Sequence, residues 1–175
     1  FYEYNGRLYA ATVGDGVWRL GDSPYKWEKL GTAGLTNQRV WALTSSSANL
    51  FAGTEGGVFL STDGGATWAA RNTGMTYSVI QALVVDGGKI YAGTRQGTSA
   101  TNEVWVSEDN ALNWRRLGNG LAADFPAGST NRIYELGVLG GKLFAAGTSG
   151  VLLFVFSISS KVYKGSFFDD FFSLA

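Results

Sequence analysis

One line of text recurs along this chain, and its period constrains the fold more tightly than any compositional figure. In the cleanest copy, Leu50-Phe51-Ala52-Gly53-Thr54 leads through Gly57-Val58-Phe59 into Ser61-Thr62-Asp63-Gly64-Gly65-Ala66-Thr67-Trp68. The opening words return as Leu8-Tyr9-Ala10, Ile90-Tyr91-Ala92 and Leu143-Phe144-Ala145, so successive units lie 42, 40 and 53 residues apart. Repeats of roughly 40 to 50 residues mark arrays or rings of small sheets that bury their faces against one another.

Within each unit the apolar period is two. Val40-Trp41-Ala42-Leu43, Leu50-Phe51-Ala52-Gly53 and Val58-Phe59-Leu60-Ser61 are short runs of β-branched, aromatic and small residues bounded by Gly, Asn, Asp and Ser. Such runs read as strands joined by tight turns. The expected fold is therefore all-β: a β-propeller of four-stranded antiparallel blades, about four in this chain, either closed as a four-bladed ring or forming part of a larger one. The blades are expected at about 1–31, 39–74, 79–120 and 132–165, with the repeats filling 1–165. Phe1-Tyr2-Glu3-Tyr4 is expected where Val40-Trp41-Ala42-Leu43 stands in the second unit. The third unit is longer, and its extra residues, 95–103 and 121–132, read as loop insertions. Residues 166–175 carry four Phe around two Asp and match no part of the repeat. This aromatic tail reads as a cover for a sheet edge or a subunit contact, or as a segment that inserts into a partner.

The segment Ser61–Trp68 resembles the Asp-box of the BNR repeat, S-x-D-x-G-x-T-W, found in sialidases, sortilin-type receptors, xyloglucan hydrolases and photosystem II assembly factors. Ser107-Glu108-Asp109-Asn110-Ala111-Leu112-Asn113-Trp114 is a second copy with Ala at the glycine position. The first unit keeps Asp22 and Trp27, and the fourth lacks the acid. Physically such a box closes a hairpin. The Asp accepts backbone N–H groups of the following turn, Gly supplies a positive φ, and the Trp packs back over it. Ser61, Asp63, Gly65 and Trp68, Ser107, Asp109 and Trp114, and Asp22 with Trp27 are thus expected to be structural.

The residues present limit the chemistry. The chain has no His and no Cys, which excludes Ser-His-Asp and Cys-His catalysis, thiolate or imidazole metal sites and disulfides. No metal and no cofactor is expected. Fourteen basic and fourteen acidic residues are well mixed, with no basic stripe for nucleic acid. The longest apolar run, Val151–Phe156, is far short of the roughly 20 residues of a membrane helix. An extracytoplasmic location, secreted or periplasmic, is expected ahead of a cytoplasmic one, with any signal peptide lying outside this sequence.

In propellers, ligands meet the face built from the turns between second and third strands and from the connections between blades. Arg39 and Arg132 both stand immediately before a first strand there, and Arg95 opens the long loop of the third unit. Together with Tyr77 they are the binding candidates, and three guanidiniums at one mouth would hold a carboxylate or phosphate. The resemblance to sialidases implies such an arginine cluster but also further acids that no motif here supplies. The resemblance to xyloglucan hydrolases implies two carboxylates across a cleft, about 6.5 to 9.5 Å apart for inversion. Asp15 and Glu55 hold equivalent turn positions and are the weak catalytic candidates. Trp18, Phe59 and Trp105 recur at one strand position, either as core or as a lectin-like platform. The reading favoured is a non-catalytic scaffold that binds a protein or glycan through its loop face, with possible self-association through a sheet edge or the tail. The alternative is a carbohydrate-active protein, glycoside hydrolase or lectin.

Overall fold

A computed structural model describes residues 1–22, 24–76, 79–95, 103–117 and 132–147, together with the backbone of strands 150–156 and 162–163. It contains sixteen strands: β1 (Tyr2–Tyr4), β2 (Arg7–Thr12), β3 (Gly16–Leu20), β4 (Trp27–Lys29), β5 (Val40–Ser46), β6 (Asn49–Thr54), β7 (Gly57–Ser61), β8 (Ala69–Ala70), β9 (Ile80–Asp86), β10 (Lys89–Thr94), β11 (Val104–Ser107), β12 (Arg115–Arg116), β13 (Ile133–Leu139), β14 (Lys142–Gly147), β15 (Gly150–Phe156) and β16 (Val162–Tyr163). They form four antiparallel sheets, each a four-stranded meander in chain order. No helix occurs among the described residues. The aromatic tail, 166–175, lies outside the described residues, as do most of both insertions.

The first hairpin of three sheets turns on two residues with positive φ: Asn5-Gly6, Gly87-Gly88 and Gly140-Gly141. That is the backbone of a type I′ turn, whose twist matches the strands it joins. The hairpins also set the register between blades, and here one expectation needs correction. Tyr2 pairs with Tyr9 as Thr44 pairs with Phe51. Phe1–Tyr4 therefore correspond to Leu43–Ser46, three residues further along the strand than Val40–Leu43.

Because side chains alternate across a strand, each sheet offers two faces. On the second blade Leu43, Leu50, Ala52 and Phe59 join a cluster with Tyr4, Tyr9 and Val17 of the first. The opposite face, Phe51, Val58 and Leu60, joins Ile80, Leu83, Ile90 and Trp105 of the third. The third blade's other face, Ala82 and Val104, meets Ile133, Leu136, Leu143 and Ala145 of the fourth. Among the described residues the core is thus three inter-blade layers. We call the face toward the preceding blade the front and the other the back.

Glycine lets the blades come this close at the inner strands. A Cβ on Gly53 would lie 2.9 Å from Cγ2 of Ile80, and one on Gly93 would lie 2.7 Å from Cγ2 of Ile133. Each of these isoleucines is fully buried at the start of the next blade's first strand.

Candidate functional site

The first strand of every blade lines a single cavity of about 520 Å³, whose walls include Tyr2, Trp41, Gln81, Tyr134 and Glu135. Three of these residues reach it by the same device. On β5, Val40 pairs with Thr54 and Ala42 with Gly53, leaving Trp41 unpaired. On β9, Ile80 pairs with Thr94 and Ala82 with Gly93, leaving out Gln81. On β13, Ile133 pairs with Gly147 and Glu135 with Ala146, leaving out Tyr134. Each is the extra residue of a β-bulge, and bulges re-aim side chains beside functional sites. The buried residue before each bulge keys the strand in place, so the position is fixed while its side chain is free to vary.

The polar chemistry at this wall is incomplete. The Trp41 Nε1 donor and the Gln81 Oε1 acceptor are buried and meet no hydrogen-bond partner. Buried polar groups are nearly always paired; among the described residues Arg19, Arg71, Glu103 and Trp105 also carry one unpaired atom each, and the two at this wall stand at equivalent bulges. The Arg95 guanidinium lies 5.3 Å from the centre of the Trp41 ring, a cation–π contact between neighbouring blades.

The arginine candidates separate into two situations. Arg95 and Arg132 form an isolated antiparallel bridge, so the backbones of these mouth residues are adjacent. Arg39 bridges Val13 of the first blade, and its Nε lies 2.8 Å from Oε1 of Glu55. Its charge is matched by that carboxylate. Tyr77 lies outside the described residues. The two weak catalytic candidates are both ion-paired, the exposed Asp15 to Lys29 and the half-buried Glu55 to Arg39. A carboxylate that sequence reasoning passed over, Glu103, is buried at the same end of the third blade, with Oε1 2.9 Å from Nη1 of Arg116.

The turns at 61–68 and 107–114 share one hydrogen-bond pattern. The Ser61 hydroxyl donates to Asp63 at 2.8 Å and accepts from the N–H of Gly65 at 2.7 Å, while Asp63 accepts from the N–H and hydroxyl of Thr67. These bonds, the Thr67 hydroxyl first, hold the Asp63 carboxyl down to about 2. Ser107, Asp109, Ala111 and Asn113 repeat the pattern, and Asp109 is lowered chiefly by the N–H and amide of Asn113. Trp68 Nε1 donates to the carbonyl of Gly65, and Trp114 Nε1 to that of Arg71. Asp22 accepts from Arg7 at 2.7 Å on the exposed edge of the first blade. Phe59 and Trp105 are buried in the inter-blade layers, where they serve as core.

No family model matches this chain, and no curated protein matches it. Solved structures do. An ancestral GH74 enzyme superposes at a TM-score of 0.67 with 19% identity, over 84% of this chain and 21% of that one. The extracellular domain of a protein described as a hybrid two component system, from B. thetaiotaomicron, gives 0.68 with 14% identity over 91% and 20%. The computationally designed Ika4 protein gives 0.54 with 14% identity over 89% and 88%. The chain spans about a fifth of the length of the first two. It has a β-propeller-type fold of four-stranded antiparallel blades.

Proposed function

We propose that the chain is a non-catalytic binding scaffold whose partner, a protein or a glycan, docks at the mouth of the central cavity. The observation that carries this reading is the trio of bulged residues, Trp41, Gln81 and Tyr134, aimed from three blades at one cavity. Aromatic faces beside an amide and the Glu135 carboxylate give a surface that combines apolar contact with hydrogen bonding. Arg95, already stacked on Trp41, adds a fixed positive charge at the rim. The ion pairing of Asp15 and Glu55 supports a structural role for both, since neither is poised as a free acid or base.

In the same reading the turns at 61–68 and 107–114 are Asp-boxes of the BNR type, which serve hairpin closure. An extracytoplasmic location fits this proposal, because one structural neighbour is itself an extracellular domain. The second reading, a carbohydrate-active protein, draws on the likeness to a GH74 enzyme.

A glycan array together with β-glucan and xyloglucan oligosaccharides separates these outcomes. Retention of a glycan, lost in Trp41→Ala, would identify a glycan partner, and no retention with no turnover would point to a protein. Release of reducing ends that Asp15→Ala abolishes would overturn the scaffold reading.

A further inference from the structure

Among the described residues the four blades make three internal layers, and one face of the first blade and one of the fourth meet no other blade. On the front of the first blade, Leu8 is 37% exposed, whereas its equivalents Leu50, Ile90 and Leu143 are exposed by 0%, 0% and 3%. Trp27 is 39% exposed, whereas Trp68 and Trp114 are each 5% exposed. Phe1, at the place of buried Leu43, is almost fully exposed and rests on Trp27 with ring centres 5.8 Å apart. At the end of the fourth blade's first strand, one residue of the back shows the complementary case. Leu139 pairs with Lys142 as Tyr4 pairs with Arg7. Tyr4 is buried against the second blade, its hydroxyl donating to the Ala48 carbonyl, but Leu139 is 74% exposed.

These two faces are the same two that meet at each internal layer. The front of every later blade receives the back of the one before it, and the front positions that stand open on the first blade, those of Phe1, Leu8 and Trp27, are ones that take part in the later layers. The connections that cover Trp68 and Trp114 also come from the preceding blade, with the N–H of Trp68 bonded to the Ala33 carbonyl and that of Trp114 to the Thr73 carbonyl. Nothing among the described residues does this for Trp27.

We infer that the front of the first blade docks on the back of the fourth blade of a second copy, and reciprocally, so that two chains close one ring about a shared two-fold axis. A front-to-back contact is open by itself and polymerises unless rotation closes it. A two-fold along the cavity axis brings both faces into contact at once. The occupant is a second copy because the repeat supplies both halves of the contact and has already tested their fit three times within one chain.

Light scattering on the size-separated protein tests this. The expected mass is twice that of one chain at micromolar concentration. Leu8→Lys and Leu139→Lys, each on a side chain already open in the single chain, are each expected to shift the mass to that of one chain while circular dichroism stays unchanged. Val13→Glu copies the residue of the second blade at an exposed turn position away from both faces, and is expected to leave the pair intact. Amide exchange on the unaltered protein gives a measurement free of variants: β2 and β14 are expected to gain protection together as concentration rises. A single-chain mass for the unaltered protein would overturn the inference. So would a pair that survives both lysine variants, or a mass that keeps growing with concentration.

Discussion

The second blade is covered on both faces and the first on one, although both are built from the same text. Leu50-Phe51-Ala52 is fully buried, Leu50 and Ala52 toward the first blade and Phe51 toward the third. In Leu8-Tyr9-Ala10 only Tyr9 is buried, toward the second blade. The repeated sequence therefore encodes a sheet with two adhesive faces, and the neighbours decide what each face is worth. A blade's stability is a property of its layers rather than of its own residues, as expected where repeats contact only their nearest neighbours.

The largest expected difference is between two equivalent leucines. Leu50→Ala removes a fully buried side chain and should cost about 2 to 5 kcal/mol, whereas Leu8→Ala, measured by denaturant at the lowest workable concentration, should cost under about 1 kcal/mol. Equal costs would break the comparison. The next effect concerns the inner strands. Gly53→Ala would press a methyl group on Ile80 and should cost about 1 to 3 kcal/mol. The first blade already carries Ala11 at that place, opposite the shorter Val40. Gly53→Ala with Ile80→Val reproduces that pairing, so thermal melts should show it recovering much of the loss, and strict additivity would contradict the account.

The turns at 61–68 and 107–114 give smaller effects. Ser61→Ala leaves the buried N–H of Gly65 without its acceptor, which should cost about 1 to 3 kcal/mol by chemical denaturation. Leu20→Ala at the equivalent place of the first blade should not interfere with any turn hydrogen bond. The smallest effect is a dependence on pH. The Asp63 carboxyl falls from 3.8 to about 2 on folding, so its contribution is full above the unfolded value and is lost as pH falls toward 2. Asp63→Asn should therefore flatten the loss of stability between about pH 4 and pH 2 by up to one proton. Acid titrations followed by circular dichroism would check this.

The sheets were legible because alternation of apolar and polar residues reports strands directly, and the fixed spacing of Leu8, Leu50, Ile90 and Leu143 reports their repetition. The opening strand was misplaced by three residues because aromatic character was matched in Phe1–Tyr4, whereas counting back from the Asn5-Gly6 turn would have set the register. Of the candidate arginines, Arg39 and Arg132 stand before first strands and Arg95 at the start of the long loop, and the structure sets the backbones of Arg95 and Arg132 side by side. The bulged residues of the cavity wall were not legible, because a bulge is a register event between two strands and leaves no mark in either alone. Trp41, Gln81 and Tyr134 share only their position after a buried Val or Ile. Their types differ, as expected of side chains released from packing.

Amide hydrogen exchange at the lowest workable concentration tests the central claim, that layers rather than blades carry the stability. The account predicts that the amides of Leu50–Thr54 exchange slowest, near the global unfolding limit, and that those of Leu8–Thr12 exchange well ahead of them. Equal protection of the two strands would show that the first blade is as secure as the second without its missing neighbour, and would contradict the account.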